Sequence, residues 1–376
     1  MAVPAEIAEC LDRFRVAIPS WGFSPMGTRF GTFLLGDEAS DVWGRIDRAA
    51  RVHAATGMTP GLALHFPWDR VEDMGALARY ITDRGLHVEA VNPNTFQDQE
   101  YRRGSVAHPD RAVRQRALDH LLWCVEAQKA LAAPYLSLWF ADGTNYPGQD
   151  DFRRRQEVLV ETLAPVHAAL GPGQVMLVEY KPFEPAFYHT DVADWGTALV
   201  ICQRLGPQAQ VIVDLGHHLP GTNVEFTVAM LQHAGRLGGF HLNNRRYADD
   251  DLMTGSVDPF GLFLIFRELV KGERRCGHPI QSVSFCLDQS ANVEAKIPAM
   301  VLSVVATQEA LCKALLVDED ELDRVAGSGD VVGAYQLLRE AFLTDVRPLL
   351  AEYRQSRGTP PDPVAHCRQE SAGAGR

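Results

Sequence analysis

Short apolar runs of strand length alternate along the chain with longer stretches in which apolar residues recur every three or four positions. The runs occupy residues 15–19, 61–66, 86–91, 135–141, 174–180, 210–215, 238–242 and 281–287. Helical periodicity fills the intervals 37–55, 71–84, 109–131, 151–170, 224–236 and 259–271, and a further helix runs to Leu205 behind Thr190 and Asp191 as an N-cap pair. Runs that stay apolar along most of their length have both faces buried. Eight of them in alternation with helices predict an α/β fold, a closed (β/α)8 TIM barrel. An open doubly wound sheet is the alternative, but no G-x-G-x-x-G follows a strand to give it a dinucleotide site. The barrel is expected over residues 1–290 and a C-terminal helical extension over 291–355. Residues 356–376, rich in Gly, Pro and polar types, are expected to be disordered.

Three successive runs end in residues that bind metals or protons: Glu179 and Lys181, then Asp214 and His217, then His241 with Asp249 and Asp251 beyond it. The eighth run ends in Asp288. In a barrel the C-terminal strand ends surround one site, so residues distant in sequence converge there. The same argument gathers Trp21 and Phe30 after the first run, His65 and Asp69 after the second, Phe96 after the third, and Trp139 and Asp142 after the fourth. Carboxylates brought together without partners repel strongly, and divalent metal is one way to neutralise them. Oxygen-rich sites with one or two imidazoles suit Mn, Mg, Co or Zn. Glu179, Asp214, His241, Asp288, His217, Asp249 and Asp251 are too many ligands for one ion, so two are expected. Glu179, Asp214, His241 and Asp288 would hold one ion, and His217, Asp249 and Asp251 the other, with a bridging carboxylate possible. Any single strand-end Asp is more often a helix cap or a turn residue. Lys181 alone reads as a salt-bridge partner of Glu179, and the aromatic residues alone as packing at a barrel mouth. Their joint occurrence at successive strand ends argues for a site.

Composition narrows the partners. The net charge of −12 repels nucleic acid on average. Seven cysteines are scattered with no C-x-x-C pair, which fits reduced thiols and a cytoplasmic location. No uncharged apolar stretch approaches the length of a membrane span, so no membrane association is expected.

The phrases SWGFSPMGTRFGTF, LHFPWD, NPNTFQDQEYR, LWFADGTNYPGQ, VEYKPFEPAFYHTDVADWGTA, VDLGHH, GGFHLNN, YADDDL and LDQS together resemble the xylose-isomerase-like barrels. Within them the closer resemblance is to the L-rhamnose isomerases of the Pseudomonas type, which also act on D-allose and related aldoses. The resemblance spans most of the chain. It implies aldose–ketose isomerisation of a small sugar, two divalent ions with Mn²⁺ preferred, and a homotetramer. It puts Glu179, Asp214, His241 and Asp288 on a structural ion, and His217, Asp249 and Asp251 on a catalytic one. Lys181 would touch the substrate, and His65 would lie near the ring oxygen. Trp139 and Phe96 would line the pocket; Trp21 and Phe30, placed by their strand-end position alone, are read as lid packing or as a further wall for a sugar face. His65 with Asp69 is the expected pair for ring opening, and Lys181 and Asp249 complete the expected catalytic set. Hydrogen would pass between C2 and C1 as hydride, with metal as Lewis acid; a cis-enediol route is the alternative.

Asn244, Arg245 and Arg246 depart from the acid, serine and lysine that the resemblance leads one to expect, which opens the question of substrate preference. Competing readings are a ketose 3-epimerase with a single metal, a metal-dependent phosphodiesterase or nuclease, and a barrel kept only as a binding module. The acidic charge and aromatic mouth argue against the nuclease, and the intact ligand set argues against the binding module.

Overall fold

The computed structural model describes residues 3–25, 27–28, 31–183 and 186–374. Eight parallel strands close into a barrel: β1 (Ala17–Pro19), β2 (Gly61–Phe66), β3 (His87–Pro93), β4 (Tyr135–Leu138), β5 (Val175–Glu179), β6 (Ala209–Asp214), β7 (Leu237–Leu242) and β8 (Ser284–Leu287). Each strand neighbours the next in sequence, and β1 closes the ring by pairing Ala17 with both Gly61 and Cys286. The expected barrel is the observed one.

A helix α1 (Ala5–Arg13), not anticipated from the sequence, buries Ile7, Cys10 and Leu11 ahead of β1. The barrel helices are α2 (Val42–Thr56), α3 (Met74–Thr82), α4 (Arg111–Ala130), α5 (Phe152–Ala169), α6 (Trp195–Leu205), α7 (Val224–His233) and α8 (Pro259–Cys276). Asp41, Asp73, Asp110, Asp151, Asp194, Asn223 and Asp258 cap them, each accepting an N–H of the first turn. The cap of α6 is therefore Asp194 and not the pair Thr190–Asp191. Asp191 is instead buried against Arg155, whose Nη2 lies 2.7 Å from Asp191 Oδ2.

Side chains two apart on a strand share a face. On the outward face, Ile18, Leu64, Val91, Leu138, Val178, Val213, Phe240 and Leu287 join the main core between barrel and helices. Inside, Ala17, Ala63, Ala90 and Cys286 form a separate small cluster against Trp21 and Tyr135. One register shift matters for function. Val211 pairs with Leu237, but Ile212 pairs with Gly239, so Gly238 is an extra residue in β7. A one-residue slip exchanges the two faces of a strand. The bulge turns His241 into the barrel beside Asp214 and leaves Phe240 in the outer core. Glycine is required there, since a β carbon would lie 2.5 Å from Leu177 Cδ2 and 2.6 Å from Gln210 Cβ.

Five helices follow the barrel: α9 (Lys296–Leu315), α10 (Glu319–Gly327), α11 (Val331–Leu343), α12 (Arg347–Ser356) and α13 (Pro363–Ala374). By length and composition α9 could cross a membrane; here it packs against α2, α8 and α13. Within the stretch 356–376, Pro363–Ala374 form α13. Cys367 is buried, and Arg354 reaches forward to the carbonyl of Pro361 and sideways to Gln308. Cys10, Cys124, Cys202, Cys276, Cys286 and Cys312 are free thiols.

Candidate active site

The ends of β5 to β8 bring the ionisable residues together. Glu179 ends β5, Asp214 ends β6, and His241 pairs with Asp214 across β6 and β7. Asp288 follows β8, its backbone N–H bound to Leu242 O at 3.0 Å. His217 lies in the turn after Asp214, and that turn is fixed by the Gly216 N–H donating to Asp214 Oδ1 at 2.6 Å.

The loop after β7 is built to divide its three aspartates. Asn244 and Leu252 exchange both backbone hydrogen bonds at 2.8 Å, closing the loop. Asn244 Oδ1 accepts the N–H groups of Val257 and Asp258, tying the loop to the start of α8. Asp250 turns back to accept the N–H groups of Arg246 and Tyr247. Asp249 and Asp251, on either side, line the cavity. Asp251 adopts a φ of +47°, and Ser290 holds it through Oγ to Oδ2 at 3.1 Å.

Two donor groups result. Glu179, Asp214, His241 and Asp288 offer ligand atoms all within 4.8 Å of one another, and Asp214, His217 and Asp249 do the same. Asp214 belongs to both. The expected four-residue set is brought together intact; the expected partner set His217, Asp249 and Asp251 is altered, with Asp214 in the place of Asp251. Asp251 lines the same cavity outside that tight group. His217 Nδ1 lies 2.8 Å from Glu179 Oε1, and His241 Nδ1 lies 3.1 Å from Glu179 Oε2 and 3.3 Å from Asp288 Oδ2. Yet His217 Nδ1, His241 Nδ1 and Asp249 Oδ1 are buried without a well-directed hydrogen bond. Such an orphaned atom costs about 1–3 kcal/mol. A set of imidazole and carboxylate atoms facing one another, buried and unsatisfied, fits a divalent cation.

The charges act on one another strongly. Burial disfavours the charged form of Glu179, but His241 and His217 hold its carboxyl below the usual range. Burial raises Asp214 and Asp288, and the neighbouring carboxylates add to it. Burial opposes a proton on His241, but Glu179 and Asp288 push its imidazole up to about 9. Burial raises Asp251 and Asp249 adds to the rise, whereas Asp249 itself is held low by His217 and Lys181.

Glu179, His217, His241, Asp249, Asp251 and Asp288 form one wall of a cavity of about 380 Å³, with Asp214 outside its lining; the other wall is aromatic, with Trp21, His65, Trp68, Phe96 and Trp139. His65 stacks on Trp68 at 3.8 Å, and Phe96 meets Trp139 edge-on at 4.7 Å. Lys181 reaches across, its Nζ 2.6 Å from Asp249 Oδ2 and 4.9 Å above the Trp139 ring. Asp249 is thus a partner of Lys181. Burial pushes His65 down to about 3, so its ring is neutral, and its Nδ1 has no hydrogen-bond partner.

Asp69 does not join this cavity. Its carboxylate accepts the backbone N–H of His65 at 2.8 Å and the Ser20 hydroxyl, and pairs with Arg45 at 2.7 Å. The expected His65–Asp69 side-chain pair is absent, because Arg45 draws the carboxylate away. Arg245 and Arg246 also lie outside the cavity lining; Arg245 reaches the carbonyl of Leu219. Phe30 falls outside the described residues. Sequence reasoning missed Trp68, Asn92 and Ser137, which line the cavity. Asn92 and Ser137 were legible in principle, as lone polar residues within or beside apolar runs. Trp68, one residue before the Asp of HFPWD, carried no periodic signal.

A model of the xylose isomerase-like TIM barrel family matches residues 48–273. A probable sugar isomerase of Rhizobium meliloti is 42% identical over 372 residues, covering 98% of this chain and 85% of the relative. Another, of Mesorhizobium japonicum, is 41% identical over 363 residues, covering 95% and 84%. Among solved structures, an L-ribulose 3-epimerase superposes with a TM-score of 0.58 at 17% identity, over 81% of this chain and 98% of that one. The D-psicose 3-epimerase of Clostridium cellulolyticum H10, solved with D-tagatose, gives 0.54 at 11% identity, over 80% and 97%. At those identities the likeness is one of fold.

Proposed function

The chain belongs to the xylose isomerase-like TIM barrel family, and on that premise we propose that it interconverts an aldose and a ketose with divalent metal. The observation that carries this reading is the pair of donor groups meeting at Asp214 and facing an aromatic wall across a sugar-sized cavity. Glu179, Asp214, His241 and Asp288 would hold one ion, and Asp214, His217 and Asp249 a second, with Asp251 beside it. Mn²⁺ is the proposed metal, and L-rhamnose, with D-allose and related aldoses, the proposed substrate class. The sequence phrases support both; the relatives, probable sugar isomerases, support the sugar-isomerase class alone. A homotetramer is proposed with them, and light scattering tests it.

Bound metal would supply a Lewis acid that polarises the sugar oxygens at C1 and C2. Lys181, fixed by Asp249 and Trp139, presents an ammonium to a substrate oxygen. His65, neutral and lining the cavity, would relay the proton leaving the C1 hydroxyl to the ring oxygen as the sugar opens, without help from Asp69. Trp21, Phe96 and Trp139 exclude water from the reacting carbons, which favours direct hydrogen transfer from C2 to C1 over exchange with solvent.

The test is a panel of rhamnose, allose, mannose, lyxose and ribose with their ketoses, with Mn²⁺ and with a chelator. Activity that survives complete metal removal overturns the proposal. A product altered at C3 instead of C1 and C2 replaces it with the 3-epimerase reading. Stoichiometric solvent deuterium in the product, in D₂O, removes the hydride route alone.

A further inference from the structure

We propose that Trp21 is a positioning residue for this metal site: its indole N–H holds one oxygen of Asp288 and so presents the other to His241. The inference rests on the reading of Glu179, Asp214, His241 and Asp288 as ligands. Trp21 Nε1 donates to Asp288 Oδ1 at 2.9 Å, while Asp288 Oδ2 lies 3.3 Å from His241 Nδ1. The two oxygens therefore have different tasks. Asp288 stands one residue beyond β8, where the backbone is bound but the carboxyl torsion is not. An outer donor then decides which oxygen faces a cation, and hydrogen bonds to carboxylates are among the stronger ones.

The indole can do this because it is itself held. It lies in a short 3-10 turn, Ser20–Phe23. The Ser20 hydroxyl donates to Asp69, which Arg45 pins in turn. Phe23 O accepts the Ala39 N–H at 2.8 Å. A β carbon on Gly22 would lie 2.2 Å from Met300 Cε, so α9 closes over the turn. Inside the barrel the ring rests on Ala17, Ala63, Ala90 and Cys286, whose small side chains leave room for an indole. Asp69, expected to act in the chemistry, is thus the far end of a chain of contacts that runs through Ser20 and Trp21 to Asp288.

Trp21→Phe keeps an aromatic ring and removes the N–H. Mn²⁺ is titrated calorimetrically into metal-stripped wild type, Trp21→Phe, Asp288→Ala and the double variant. Trp21→Phe is expected to weaken one class of site by about 10–100-fold. In the Asp288→Ala background the same change is expected to alter affinity by no more than about twofold. Equal affinity for wild type and Trp21→Phe overturns the inference, as does an equal loss in both backgrounds. Should Trp21→Phe fail to fold, benzothienylalanine introduced at position 21 removes the N–H while keeping the bicyclic shape. Failure of the wild type to bind Mn²⁺ removes the metal reading itself; binding by wild type with no difference in the variant removes only the role of Trp21.

Discussion

His241 stands opposite Asp214 because Gly238 adds one residue to β7 ahead of it. Without that residue Phe240 would face the carboxylates and His241 would face the helices. Gly238→Ala places a methyl group 2.5 Å from Leu177 Cδ2. Relief of that overlap costs about 1–3 kcal/mol and strains the bulge that orients His241. The expected outcome is a lower urea midpoint together with reduced metal content. Normal metal content in a clearly destabilised variant would show that the bulge is not what aims His241.

Asp214 is common to both donor groups, and Asp288 to only one. Asp214→Ala is therefore expected to lose most of both bound ions, and Asp288→Ala to lose one. Inductively coupled plasma mass spectrometry of protein reconstituted with Mn²⁺ reads the difference. Equal metal content in the two variants would remove the shared role of Asp214.

Asp69 is a structural anchor in this fold. Asp69→Ala takes the carboxylate partner from half-buried Arg45 and the acceptor from the buried Ser20 hydroxyl and His65 N–H, and each buried donor so orphaned costs about 1–3 kcal/mol. The melting temperature should fall sharply, whereas His65→Asn should depress turnover with little thermal effect. A fully stable Asp69→Ala protein that lacks turnover would return Asp69 to the chemistry.

The sequence showed the barrel because strands buried on both faces read as apolar runs, and it showed the ligands because polar residues closing such runs are conspicuous. Where side chains point was less accessible. Asp69 sits four residues after His65, a spacing that suggests a pair, yet Arg45, distant in sequence, takes its carboxylate. Asp249, Asp250 and Asp251 read as one acidic run, and only the loop geometry separates the middle residue as a staple. The Gly238 bulge and the docking of α13 depend on pairings between distant segments, which no local pattern records. Arg245 and Arg246 looked like specificity residues from position alone; outside the cavity lining, they have no direct means of selecting a sugar.

His65 gives an acid-side prediction. Burial pushes its folded-state value down to about 3, from an ordinary 6.5. The unfolded chain takes up a proton below that ordinary value and the folded chain does not. The contribution to stability is present in full above pH 6.5 and is lost as pH falls toward 3. His65→Gln should show a shallower fall of unfolding free energy between pH 6.5 and pH 4 than wild type. Parallel curves would mean that the ring is protonated in the folded protein.

Metal uptake should release protons. Glu179 and Asp288 push His241 up to about 9 against the opposing effect of burial, so in metal-free protein at pH 7 that imidazole is protonated. Burial and its carboxylate neighbours also raise Asp214. A cation replaces these protons, because imidazole and carboxylate ligate only when deprotonated. Affinity for Mn²⁺ should therefore rise as pH increases from 6 toward 9, and the protons released per ion should decrease over the same interval. Calorimetric titration in buffers of different ionisation enthalpy measures that number directly. The same titration on His241→Gln should release fewer protons and bind fewer ions. Proton release unchanged by the substitution would place the titrating group elsewhere and leave His241 outside the ligand set.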